Sequence, residues 1–195
     1  MDPKEESVSL WQTESNFPLL PSLSSHQTAD VCVIGAGISG LSVAYQLLRE
    51  GKSVVVLERD TLGHGQTGLT SAHLSNALDE GFSRLISLHG EEGARLAVES
   101  HGAAIHEIER IIKRHDIECE FAWVDGYLFS DAEGSGLEEE KASAERAGFA
   151  GVEHSRGFNG EPALRFPPQA QFHPARYLAG LARAILEMGG KIFLH

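Results

Sequence analysis

At 195 residues, 42% hydrophobic and 23% charged, the chain has the make-up of an ordinary globular protein and the length of about one domain. Its 28 acidic against 16 basic residues leave a net charge of −12, which argues against nucleic acid or an anionic membrane surface as a partner. It contains no apolar run of about 18 residues, which excludes a membrane-spanning helix, and MDPKEESVSL at its start lacks the apolar core of a signal peptide. The two cysteines, Cys32 and Cys119, have no metal-binding spacing. Both are expected as small core residues within strands of a metal-free protein, in a reducing, cytoplasmic setting.

Residues 1–29 precede the first strand. Trp11, Phe17, Leu19 and Leu20 are apolar there, and Pro18 and Pro21 block regular structure. The segment is either a disordered leader or an arm whose Trp11 and Phe17 dock on the body; two aromatics in a polar stretch favour docking.

Asp30–Arg59 reads as strand, glycine turn, helix, turn, strand and terminal acid. Val31–Ile34 is a β-branched run suited to a parallel strand covered on both faces. Gly35, Ala36, Gly37, Ile38, Ser39 and Gly40 then form G-x-G-x-x-G. Gly35 serves the tight turn, Gly37 the close approach of a pyrophosphate, and Gly40 the packing of helix on strand. Leu41, Ala44, Tyr45 and Leu48 fall at helical spacing, and Gly51 suits a left-handed helix stop. Ser53–Leu57 is the second strand, and Glu58 stands at its carboxyl end, 18 residues after Gly40. A carboxylate there accepts hydrogen bonds from the hydroxyls of an adenosine ribose, while the orphan N–H groups and dipole of the helix start bind a diphosphate. NAD and FAD are both open at this point.

Asp60–Asn76 carries Gly63, Gly65 and Gly68 with Thr67, Thr70 and Ser71 among them. Such a segment offers N–H and hydroxyl donors to an anionic ligand and is expected as a second cofactor-contacting loop. A short helix is expected over Asp79–Leu88 and a long one over Glu91–His115, with Ala94, Ala97, Val98, Ala104, Ile105, Ile108, Ile111 and Ile112 on one stripe. His101 and His106, five apart, do not share a face and read as surface or packing residues.

Ile117–Val124 alternates, and Asp125-Gly126 signals a hairpin with Tyr127–Phe129 as the return strand. That change from helix–strand rhythm to antiparallel pairing marks entry into a second domain. Leu137–Ala147 is expected as a charged helix and Val152–Pro168 as irregular. Ala170–His173 is a candidate strand, and Pro174 opens a helix with Tyr177, Leu178, Leu181, Ile185 and Leu186 inward. Gly189-Gly190 stops it, and Lys191–Leu194 begins another strand. Stopping there, the chain reads as the amino-terminal part of a longer protein or a truncated gene product.

From Val31 to Arg59 the sequence resembles the FAD-binding motif of flavoprotein oxidoreductases, in Gly35, Gly37, Gly40, Ala44, Leu47, Gly51, Val54 and Glu58. Gly63–His73 (GHGQTGLTSAH) is similar to the second cofactor loop of the D-amino-acid-oxidase-like (DAO) family, with Gly65 and Thr67 at its glycine and hydroxyl positions. Looser matches are Gly126-Tyr127-Leu128 and Phe172-His173-Pro174. The Trp11 leader, Thr67–His73 and Ser100–Ile105 resemble a branch often fused to a Rieske iron–sulfur domain.

The resemblance implies an α/β fold. A Rossmann-like FAD-binding βαβ domain would carry an inserted, mostly antiparallel α+β substrate-domain segment, incomplete here. The expected division is an arm (1–29), a first FAD-binding segment (30–115), a substrate or cap segment (116–172) and a truncated return to the FAD-binding domain (173–195).

The resemblance also implies an oxidoreductase in which FAD takes a hydride equivalent from the C–N carbon of an amine or amino acid. A Rieske-type electron acceptor would lie outside this chain. Gly35, Ala36, Gly37, Ile38, Ser39 and Gly40 would serve the pyrophosphate, Glu58 the ribose and Arg59 the adenine. Gly65, Thr67 and Thr70 would line the path to the flavin. Relatives that bind FAD covalently use a histidine four residues after the loop glycine; Leu69 stands there, so non-covalent FAD is expected. No catalytic acid or base is assigned. Arg165, Tyr127 and His173 are read as structural rather than substrate-side. The alternatives are an NAD-dependent dehydrogenase and a non-catalytic, truncated nucleotide-binding fragment.

Overall fold

The computed structural model describes residues 9–13, 16–130 and 134–194. In chain order its elements are α1 (Leu10–Thr13), β1 (Val31–Ile34), α2 (Ile38–Arg49), β2 (Val54–Glu58), a 3-10 turn (Gln66–Leu69), β3 (His73–Leu74), α3 (Phe82–His115), β4 (Ala122–Phe129), α4 (Leu137–Arg146), β5 (Glu153–Arg156), β6 (Pro162–Gln171), α5 (Pro174–Glu187) and β7 (Lys191–Leu194). The chain divides into two units. Unit 1 takes Met1–Ala72, Ile111–Glu120 and Phe172–His195; unit 2 takes His73–Arg110 and Phe121–Gln171. Most of the long helix α3 belongs with unit 2: Phe82, Leu85 and Ala94 are in its core.

Unit 1 is built on a parallel sheet of order β1-β2-β7. Val31 pairs with Val54, and Val55 with Lys191. On α2, Leu41, Ala44 and Tyr45 are buried, and α5 buries Tyr177, Leu178, Leu181 and Ile185. Apolar positions that recur at helical spacing give both helices their inward stripe. β1 is not covered on both faces as expected. A Cβ on Gly40 of α2 would come within 3.5 Å of Val33 Cγ1, so Val33 faces the helix. Strand alternation turns Cys32 and Ile34 the other way; Ile34 is 76% exposed and Cys32 is exposed rather than a core residue. Cys119 is buried, but in a turn between Asp116 (φ 49°) and Glu120 (φ 53°) rather than in a strand.

Unit 2 is an antiparallel sheet with β6 at its centre, β4 along one side and β3 and β5 along the other. The expected hairpin at Asp125-Gly126 does not form: β4 runs straight through it as one strand. A side chain at 126 would press on Gln169 of β6, with Cβ 2.9 Å from its Cγ, so the glycine answers a neighbouring strand and not a turn. Likewise Val152–Pro168 is not irregular but supplies β5 and most of β6. Its prolines sit where a strand tolerates them. Pro162 is the first residue of β6, and Pro167-Pro168 fall in the register shift where Val124 pairs with Gln169 and Gly126 with Phe166. On one face of the sheet Leu164 and Phe166 pack with Phe82, Leu137, Ala144 and Phe149. On the opposite face Tyr127 and Phe129 are exposed.

The two helices expected between 79 and 115 are present, joined across a kink at Gly90 (φ 72°). Among the described residues no helix is long and apolar enough to cross a membrane, and no group of three or more His, Cys, Asp or Glu side chains is placed to hold a metal ion.

Candidate nucleotide-binding site

The site begins at the turn from β1 to α2. Gly35 has φ 100°, a conformation L side chains rarely adopt, and its N–H donates to Leu57 O on β2 at 2.8 Å. Gly40 packs so closely on this turn that a Cβ would lie 2.0 Å from Gly35 O. Glycine is therefore required there by contact with main chain that cannot yield.

The first bond of the α2 ladder runs from Leu41 N–H to Gly37 O at 3.0 Å, and Gly37 as N-cap supplies no side-chain acceptor. The N–H groups of Ile38, Ser39 and Gly40 thus precede the helix ladder. Ile38 N–H donates to Thr67 Oγ1 at 3.0 Å, across from the second loop. A Cβ on Gly37 would come within 3.2 Å of the same hydroxyl. The bare glycine and the ladder-free N–H groups leave the partial positive charge of the helix start open to an anion.

Glu58, half-buried at the end of β2, closes the other side. Its carboxylate accepts from Ala36 N–H at 2.7 Å through Oε2 and from Asp60 N–H at 3.0 Å through Oε1. Each oxygen keeps further lone-pair capacity, which is what a pair of ribose hydroxyls needs. The second loop is held by its own turn, with Gly68 N–H donating to Gly65 O at 3.1 Å. Thr70 Oγ1 accepts from Ala72 N–H at 3.3 Å.

The structure therefore brings Gly35, Ala36, Gly37, Ile38, Ser39, Gly40, Glu58 and Thr67 together. Gly65 and Arg59 are exposed, and Thr70 caps the 3-10 turn of the second loop. Sequence reasoning missed the main-chain bonding of Glu58, foreshadowed only by an acid directly after a strand. The docking expected of Trp11 is present, its Nε1–H donating to Thr70 O at 2.8 Å; what the sequence did not show is that its partner is the second loop.

The residues set aside as structural have structural partners. Arg165 bridges Glu153 (2.8 Å) and Asp125 (2.9 Å), which hold its guanidinium protonated well above the usual range. Tyr127 stacks on Phe129. His173 caps α5, its Nδ1 accepting from Arg176 N–H at 3.3 Å.

The family described as FAD dependent oxidoreductase (DAO) matches residues 30–195. The chain belongs to this family. Among curated relatives it is 32% identical, over 97% of its length and 38% of theirs, to Bacillus subtilis (strain 168) YhfW, whose name places it with Rieske 2Fe-2S iron-sulfur proteins. It is 29% identical, over 97% of its length, to the gamma-glutamylputrescine oxidoreductase of Escherichia coli (strain K12), of which it covers 47%. The chain thus spans less than half the length of these relatives.

The L-amino acid deaminase of Proteus myxofaciens shares the fold, with a TM-score of 0.72 over 97% of this chain and 42% of that one, at 17% identity. Glycine oxidase from Geobacillus kaustophilus follows with 0.67 over 85% of this chain and 46% of that one, also at 17%. The α/β class expected from the sequence, with parallel and antiparallel sheets, is that of this DAO-family fold. The glycine turn, the Glu58 carboxylate and the donors of the α2 start fit the adenosine diphosphate part of the family's cofactor, FAD.

Proposed function

We propose that this chain binds the adenosine diphosphate part of FAD, held without a covalent bond, in an oxidoreductase that oxidises the C–N bond of an amine or amino acid. One observation carries the reading: Glu58 and Thr67, from two separate loops, converge by hydrogen bonds on the turn Gly35–Gly40 and leave the start of α2 open to a diphosphate.

In this reading unit 1 is the FAD-binding part and unit 2 the substrate-domain segment. The N–H groups of Ser39 and Gly40 face the diphosphate, with Ala36 and Ile38 held in the turn by Glu58 and Thr67 and with Gly35 and Gly37 giving the backbone its approach. Glu58 orients the ribose, and Arg59 lies along the adenine. Gly65, Thr67 and Thr70 carry the site on toward the flavin. Bound FAD supplies the two-electron acceptor; the protein positions it and excludes competing chemistry. The amine or amino-acid substrate is supported by the name of the Escherichia coli relative, and a Rieske-type acceptor outside this chain by that of the Bacillus subtilis one. Both described cysteines are free, which supports a reducing, cytoplasmic setting.

The test is titration of the purified chain with FAD and, separately, with NAD, followed by flavin absorbance and fluorescence quenching. FAD is expected to bind, and Gly37→Val, which fills the approach beside Thr67, is expected to abolish it. Binding of NAD in preference to FAD would replace this reading with a dehydrogenase. Binding of neither would leave a non-catalytic fragment.

A further inference from the structure

The arm before β1 is tied to unit 1 at points that bracket the second loop. Trp11 on α1 donates its indole N–H to Thr70 O, at the loop's far end, at 2.8 Å. Its ring stands edge-on to His173, with centroids 5.0 Å apart and planes at 73°. His173 is a fixed platform: it is buried, it caps α5, and its backbone N–H donates to Cys119 O at 2.6 Å. At the loop's near end Gly63 is buried, and a Cβ there would lie 3.7 Å from Phe17 Cζ and 2.9 Å from Leu178 Cδ2. Between these points Asn16 O accepts from the Arg183 guanidinium. Beyond them Pro21 O accepts from Leu194 N–H of β7 at 3.0 Å.

We propose that residues 9–13 and 16–21 strap the loop Gly63–Thr70 and set its position, with Trp11 as the positioning residue. The loop has Phe17 beside Gly63 at one end, is tied by Trp11 at the other, and is held by the Thr67–Ile38 hydrogen bond in the middle. Releasing Thr70 frees the three-residue segment that places the Thr67 hydroxyl against the start of α2. A loop that must be ordered by its ligand binds that ligand more weakly, so the strap pre-organises the site. Its action on cofactor affinity rests on the FAD reading above; its action on loop order does not.

The experiment uses the whole chain and Trp11→Phe, which keeps an aromatic ring against His173 and removes the donor. A neutral hydrogen bond of this kind shifts a local equilibrium by about 3- to 10-fold. Amide hydrogen exchange over 63–70 is therefore expected to accelerate by about that factor, with Val31–Ile34 and Val54–Glu58 unchanged. FAD is expected to bind more weakly by a similar factor, through faster dissociation. Benzothienylalanine at position 11, an isostere of tryptophan without the N–H, gives the same result if phenylalanine disturbs folding.

Loop exchange that does not change, or that rises equally throughout unit 1, overturns the proposal. The two readings fail separately. A parent chain that ignores FAD while the loop loosens in the variant sinks the FAD reading and keeps the strap. A parent that binds FAD while the loop stays as protected in the variant does the reverse.

Discussion

Replacing Glu58 by glutamine tests whether this carboxylate holds the apo site together. The side chain joins two loops, accepting from Ala36 N–H at 2.7 Å and Asp60 N–H at 3.0 Å. Glutamine keeps the shape but has one acceptor oxygen; whichever way its amide turns, an NH2 group faces one of the two backbone donors. Hydrogen bonds to a charged acceptor contribute about 1.5–3 kcal/mol each, and the half-buried position of Glu58 places the expected loss near the lower figure. Glu58→Ala removes both acceptors and is expected to cost more than Glu58→Gln.

The assay is equilibrium urea unfolding of the ligand-free chain in a Trp123→Phe background. Trp11, in unit 1, is then the remaining tryptophan reporter. A loss of about 1.5 kcal/mol moves the folding equilibrium by about tenfold. If Glu58→Gln unfolds at the parent's midpoint, or Glu58→Ala is no worse than Glu58→Gln, the carboxylate does not carry the turn and the argument fails.

Gly40→Ala places a Cβ 2.0 Å from Gly35 O, and the forced separation of α2 from β1 is expected to cost unit 1 about 3 kcal/mol; an unchanged melting midpoint would refute the close approach. Gln169 is buried, with Oε1 accepting from Asn76 N–H (2.8 Å) and Nε2 donating to Asn76 Oδ1 (2.5 Å) and Phe166 O (3.3 Å). Gln169→Leu strips these partners and is expected to lower stability by about 1–3 kcal/mol, read as an earlier unfolding of unit 2. Asp30 is held below the ordinary aspartate value of 3.8 by the Ser53 hydroxyl and then by the Ser53 N–H. Because the folded value is the lower one, the contribution of this contact is full above about 3.8 and fades as the pH falls through the folded value. Ser53→Ala is expected to move the carbon-13 titration of the Asp30 carboxyl upward; no movement would remove the hydroxyl as the cause.

The βαβ unit was legible because its residues answer to local demands. Gly35 needs a positive φ, Gly40 needs to lack a side chain, and apolar spacing marks α2. Gly126 and the prolines of β6 misled for the opposite reason. Glycine and proline mark turns when nothing else constrains them, but here Gln169 and a register shift supplied non-local reasons for both. The exposure of Cys32 was hidden because β-branched composition tells that a strand is apolar, not which of its faces is covered. At the candidate site, the residue types and their spacing were readable. Their bonds to the turn itself, Glu58 to Ala36 and Thr67 to Ile38, depend on loops whose path no periodicity reports.

The parallel sheet of unit 1 has a consequence for how the protein is made. β2 pairs with β7 through residues such as Val55 and Lys191, more than a hundred positions apart, and the whole of unit 2 lies in the chain between them. During vectorial synthesis the central strand of that sheet emerges early and waits, one flank unpaired, while the ribosome translates the intervening segment. The expected order of maturation is unit 2 first, with the turn Gly35–Gly40 acquiring its full support when Lys191–Leu194 leaves the exit tunnel. Protease challenge of ribosome-stalled chains ending before and after β7 would read that order directly, and protection of residues 31–58 before β7 emerges would contradict it.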